Sequence, residues 1–107
     1  MGRAVEGLRV LELGDFIAAP YAGKLLADMG ADVIKVERPD GGDWARQHGP
    51  FPGGDLDPEK SGLFLFLNTN KRSVTLDVTK PSDVILLKEL AREADVLIES
   101  LSPKQAA

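Results

Sequence analysis

Residues 8–37, LRVLELGDFIAAPYAGKLLADMGADVIKVE, change their hydrophobic period twice, and the two changes decide the fold. Leu8, Val10, Leu11 and Leu13 are apolar, Arg9 and Glu12 interrupt them, and Gly14-Asp15 follows as a turn signal, so residues 8–13 predict a short strand. Beyond Pro20, the residues Tyr21, Ala22, Leu25, Leu26 and Met29 recur at the spacing of one helical face, with Gly30 as the stop. Proline is at home in a first helical turn. Val33-Ile34-Lys35-Val36-Glu37 then returns to a β-branched run. A helix between two strands is a βαβ unit, and such a unit makes its strands parallel.

Working outward, residues 38–61 are rich in Gly, Pro and Asp, and Pro39, Pro50, Pro52 and Pro58 predict a long loop without regular elements. Leu63-Phe64-Leu65-Phe66-Leu67 is continuously apolar, which periodicity reads either as a buried strand or as a turn and a half of buried helix, with the short helix preferred. Ser73 to Asp77 reads as a strand. After Pro81, the set Leu86, Leu87, Leu90, Ala91 and Ala94 repeats the helical spacing, and Asp95 to Glu99 closes as another strand. This order predicts a Rossmann-like α/β fold: an open parallel sheet with helices on both faces. In such sheets ligands bind beyond the carboxyl ends of the strands, here residues 14–19, 37–43, 77–80 and 99–102.

The 107 residues are 43% apolar and 28% charged, a globular balance that excludes the disordered class. A net charge of −4 argues against general nucleic-acid or membrane-surface binding. The absence of cysteine excludes disulfides, thiolate metal sites and a thiol nucleophile. Met1 to Gly7 hold no apolar stretch able to act as a signal sequence, and no window approaches the roughly 20 apolar residues that a spanning helix needs. The expectation is a soluble cytoplasmic protein. The tail from Ser102 to Ala107 has neither a helix stop nor a final strand, so residues 1–107 are expected to be the amino-terminal segment of a longer chain and an incomplete domain.

Strand-to-helix loops in this architecture offer backbone N–H groups and the positive end of a helix dipole to a phosphate or carboxylate. Ile17, Ala18 and Ala19 would let a ligand approach the backbone, or they simply pack the turn. Glu37 lies about 20 residues after the first turn, where a dinucleotide fold keeps its ribose-binding acid. Against that, Gly14 to Ala19 supplies one glycine where the dinucleotide fingerprint needs three. Arg38, at a strand's carboxyl end, could fork onto phosphate oxygens or remain a surface arginine. Lys71 and Arg72 form the adjacent basic pair, able to meet phosphate or nearby carboxylates. His48 has no partners at metal-ligand spacing, so no metal is assigned. Asp15 and Asp43 follow glycines and read as turn carboxylates, with a general base as the alternative.

Taken together, Gly7 to Leu13, Ala19-Pro20, Leu26 to Pro39, Gly42-Asp43 with Arg46, Asn68 to Asp77 and Ala94 to Glu99 resemble the class III CoA-transferase family, which includes formyl-CoA and carnitine CoA-transferases and α-methylacyl-CoA racemases. The resemblance covers nearly the whole chain. It implies a domain that binds coenzyme A, with the family's contacts falling on Ile17, Ala18, Arg38, Leu76, Asp77, Val78, Thr79, Ser100, Leu101 and Ser102. It implies acyl-CoA and a carboxylic acid as substrates, no metal, and a homodimer for the full-length enzyme. The family's nucleophilic aspartate would lie beyond Ala107, so this chain is expected to be inactive alone and to carry no catalytic residue.

In the transferases that aspartate attacks the thioester to give a mixed anhydride, and the CoA thiolate returns to give an enzyme thioester that the incoming acid accepts. In the racemases an acid/base pair moves the α-proton instead. Two departures from the family pattern bear on the pocket: Ser100-Leu101-Ser102-Pro103 replaces an Asn-aromatic turn, and Thr79 stands where some members carry a base. Alternative readings are an acyl-CoA racemase, a non-catalytic CoA-binding fragment, and a nicotinamide-binding domain.

Overall fold

The computed structural model describes residues 5–14, 17–39, 41–51, 54, 59 and 61–100. Its elements run β1 (Arg9–Leu13), α1 (Ala18–Asp28), β2 (Asp32–Glu37), a 3₁₀ turn (Trp44–Gln47), α2 (Gly62–Leu67), β3 (Arg72–Thr75), α3 (Pro81–Glu93) and β4 (Val96–Glu99). The four strands form one sheet in the order β3-β2-β1-β4, and every neighbouring pair is parallel. The chain walks outward from β1 to β3 and then returns to the other side of β1. The direction of winding therefore reverses between β1 and β4, the place where open α/β sheets hold ligands.

In-register residues of a parallel sheet share a face. Val10 pairs with Val33 and Val96, and all three turn toward α1, where Val10 and Val33 are fully buried with Ala27 and Ala31. Leu11, in register with Ile34 and Leu97, turns to the opposite side. There Leu11 and Ile34 border a cavity of about 200 Å³ with Leu90 of α3, and Val74 and Leu76 border one of about 290 Å³ with Leu86 and Leu90. Helices thus lie on both faces, as the sequence predicts.

Three local expectations change. The apolar run expected to be buried forms α2, but of its residues only Leu67 is buried, while Leu65 and Phe66 are exposed. The third strand spans Arg72–Thr75 rather than residues 73–77, because Asp77 leaves the ladder: its N–H donates to Asp83 Oδ2 at 2.8 Å, and its own Oδ1 accepts from Thr79 N at 2.9 Å. Side-chain oxygens offering the backbone such bonds compete with strand pairing. The loop of residues 38–61 also contains a regular turn. Asp43 caps it, accepting from Ala45 N at 2.8 Å, and the expected prolines flank it without entering.

The α3 side is thinly covered. No residue of α3 is buried, and Leu97 is 54% exposed with Ile85 and Leu86 similarly open. Apolar surface of this kind favours association. The chain is expected to self-associate as its concentration rises in sedimentation velocity, and Leu97→Lys is expected to weaken that association; concentration-independent monomers would contradict it.

Candidate functional site

Each rim residue is set by the strand that precedes it. Along the carboxyl edge the order is Leu76 to Thr79 after β3, Arg38 after β2, Gly14 with Ile17 and Ala18 after β1, and Ser100 after β4. Three inter-strand spacings, about 14 Å, separate the outer members, so one ligand touching them all has to lie across the sheet edge. Leu101 and Ser102, and Asp15 among the turn carboxylates, lie outside the described residues.

The β1 and β4 ends are tightly joined. Ser100 N donates to Leu13 O at 3.0 Å, and a β carbon on Gly14 would lie 2.2 Å from Ser100 Oγ. Ile17 and Ala18 open α1 and are exposed. Arg38 is exposed too, and its Nε donates to Gly42 O at 2.9 Å, which orients the guanidinium. Leu76 is buried, so only its backbone could meet a ligand, whereas Val78 and Thr79 are exposed.

Thr79 donates both its N–H and its hydroxyl to Asp77 Oδ1, and these bonds, the hydroxyl's foremost, hold the Asp77 carboxyl below its ordinary 3.8. A lowered carboxyl pKa contributes stability that is complete above 3.8 and lost as pH falls through the lower folded value. Thr79→Val is expected to move the Asp77 titration midpoint up toward 3.8, read from its carboxyl carbon by NMR.

Beneath the rim lies a cluster of charges that the sequence does not show as one group. Lys35 Nζ stands 2.8 Å from Glu12 Oε2 and 2.6 Å from Asp43 Oδ2, and Lys71 Nζ stands 2.7 Å from Glu12 Oε1; all four side chains are at most 2% exposed. Two cations face two carboxylates, so the buried charge balances. Burial pushes the Lys71 ammonium below its ordinary 10.5, and the Glu12 carboxylate opposes that fall. Gly23 makes room above: a β carbon there would sit 2.0 Å from Glu12 Oε1.

Beside this cluster, Arg46 clamps Glu37 through Nε (3.0 Å) and an Nη (3.1 Å), with its guanidinium 3.7 Å from the Phe64 ring centre. Ser73 Oγ adds a third bond to Glu37 at 3.2 Å. Glu37 is thus engaged inside the protein and is not presented to a ribose, which removes the feature that favoured a nicotinamide-binding domain. Arg72 pairs with Asp32 at 2.6 Å, and Lys71 with Glu12, so both members of the basic pair take the carboxylate alternative. Asp43 is a cap and an ion-pair partner. His48 Nδ1 lies 3.3 Å from Trp44 O, and its ring meets the Trp44 ring edge-on. Among the described residues, no group of three or more His, Cys, Asp or Glu is placed to hold a metal. No helix there is long and apolar enough to cross a membrane.

A signal for the buried cluster was present. Glu12 alternates with Val10, and Lys35 and Glu37 alternate with Val33, which puts all three charges on the face covered by α1.

Comparison with known proteins agrees with this architecture. The chain is 44% identical over 98 residues to the succinate–glutarate CoA-transferase of Agrobacterium fabrum, covering 90% of this chain and 24% of that protein. It is 44% identical over 103 residues to the formyl-CoA:oxalate CoA-transferase of a Bradyrhizobium species, covering 96% of this chain and 23% of that one. The chain therefore spans about a quarter of the length of these relatives. A crystal structure of a CAIB/BAIF family protein from Brucella suis superposes with a TM-score of 0.85 at 37% identity, over 98% of this chain and 28% of that one. The family model described as CoA-transferase family III matches residues 5–107, a span that includes the sheet and the buried cluster, and the chain belongs to that family.

Proposed function

We infer that this chain is the coenzyme A-holding segment of an enzyme that moves CoA between an acyl-CoA thioester and a carboxylic acid. The observation that carries the reading is the family match over residues 5–107 of a sheet whose winding reverses at β1 and β4. The relatives named for their activity are CoA-transferases, one succinate–glutarate and one formyl-CoA:oxalate, which favours transfer of CoA over racemisation.

In this reading Ile17 and Ala18 present the first-turn amides of α1, Arg38 meets a phosphate, and Asp77 to Thr79 and Ser100 to Ser102 border the two ends of the ligand. The segment supplies grip and orientation. The carboxylate that attacks the thioester is contributed by polypeptide outside residues 1–107, and the chain alone does not turn over acyl-CoA.

The test is calorimetric titration of CoA, with NAD in parallel, against wild type and Arg38→Ala. CoA is expected to bind and NAD not, and the substitution should cost about 1.5–3 kcal/mol, the worth of a charge-assisted bond. Unchanged affinity in the variant would remove Arg38 from the site, and saturable NAD binding without competition from CoA would overturn the reading.

A further inference from the structure

The buried lysines do more than balance charge. Lys35 Nζ donates to the carbonyl of Gly14 at 3.2 Å, and Lys71 Nζ donates to the carbonyl of Pro20 at 2.8 Å. Gly14 and Pro20 bracket the turn from β1 into α1. One ammonium therefore holds the chain where it leaves the strand, and the other holds it where the helix begins.

The two ammoniums are themselves fixed from several sides. Glu12 bridges them with one carboxylate oxygen each, Asp43 holds Lys35 from the loop after β2, and Asn68 Oδ1 accepts from Lys71 at 2.6 Å at the end of α2. A space that needed only filling could hold apolar side chains, since exchanging a buried ion pair for well-packed apolar groups is often neutral or stabilising. Apolar groups could not hold two carbonyls in fixed directions. The peptide unit is planar, so a donor on its oxygen fixes the orientation of the whole unit.

We propose that Lys35 and Lys71 are positioning residues for the β1–α1 loop, holding Ile17 and Ala18 in the arrangement that meets coenzyme A. This rests on the CoA-binding reading above. Neither lysine touches the ligand. Both act through the Gly14 and Pro20 carbonyls, and Glu12 keeps the pair in step.

The test separates charge balance from loop positioning. Lys71→Met leaves Glu12 and Asp43 facing one cation and is expected to lower both thermal stability and CoA affinity. Glu12→Gln/Lys71→Met restores the balance, leaving Lys35 with Asp43, and should regain most of the lost stability. Its CoA affinity, measured well below the unfolding midpoint of each variant, is expected to stay about tenfold weaker than wild type, the scale of one lost charge-assisted hydrogen bond.

Amide exchange supplies a readout that does not need the ligand. Tyr21 N donates to Ile17 O at 2.8 Å in the first turn of α1, and its exchange should quicken by about tenfold in the double variant while amides at the end of α1 keep their rates. Recovery of CoA affinity together with stability would overturn the proposal. If the wild-type chain binds no CoA, the CoA reading fails, and the Tyr21 exchange rate decides the positioning claim: an unchanged rate overturns it and a quickened one sustains it.

Discussion

Lys35→Met is expected to lower the free energy of unfolding by about 3–5 kcal/mol, the cost of removing one partner from a buried ion pair. The lysine is 1% exposed and meets two carboxylates that are themselves fully enclosed, so its loss leaves two buried anions facing Lys71 alone. Domains of this kind have only about 5–15 kcal/mol in total. Urea unfolding is the measurement, and a loss below about 1 kcal/mol would mean that water reaches the pair. Lys35→Met/Asp43→Asn leaves Glu12 and Lys71 matched and keeps an oxygen to cap the 3₁₀ turn. It should regain much of the loss, although each substitution alone is costly.

Gly23→Ala is expected to destabilise by about 1–3 kcal/mol through overpacking. The sign is the point, because the same exchange inside an ordinary helix gains about 1 kcal/mol. The added β carbon would lie 2.0 Å from Glu12 Oε1 and 3.3 Å from Lys71 Cε, and Glu12 cannot retreat without breaking two ion pairs. Urea midpoints of the two proteins decide it. A stabilised variant would show that the carboxylate does not press against α1.

The fold was legible because its signals are local. Alternation in residues 8–13 and 33–37, helical spacing between them, and the same sequence of signals after Pro81 determined the element order, and parallel pairing follows from the crossovers. The limits of β3 were not legible in the same way. Asp77 reads as the end of a strand by pattern, and only the bonds to Thr79 and Asp83 take it out of the ladder. The strand-end rim was readable from topology, while the roles proposed for Ile17, Ala18, Arg38 and Ser100 rest on family resemblance. The charge cluster escaped because Glu12, Lys35, Asp43 and Lys71 are scattered over 60 residues. Residue by residue each has an ordinary surface explanation, and only the closed sheet brings them within 3 Å of one another as ion pairs.

The strand order has a consequence for synthesis. β1 emerges first, yet one of its two neighbours, β4, is the last strand described, and Asp95 accepts from Arg9 N across 86 residues. Until that final strand arrives, one edge of β1 stays unpaired, and unpaired edges invite association with other chains. The nascent polypeptide must therefore shield its oldest strand until β4 is made, so the codons of Val96–Glu99 bear on whether the earlier ones stay out of aggregates.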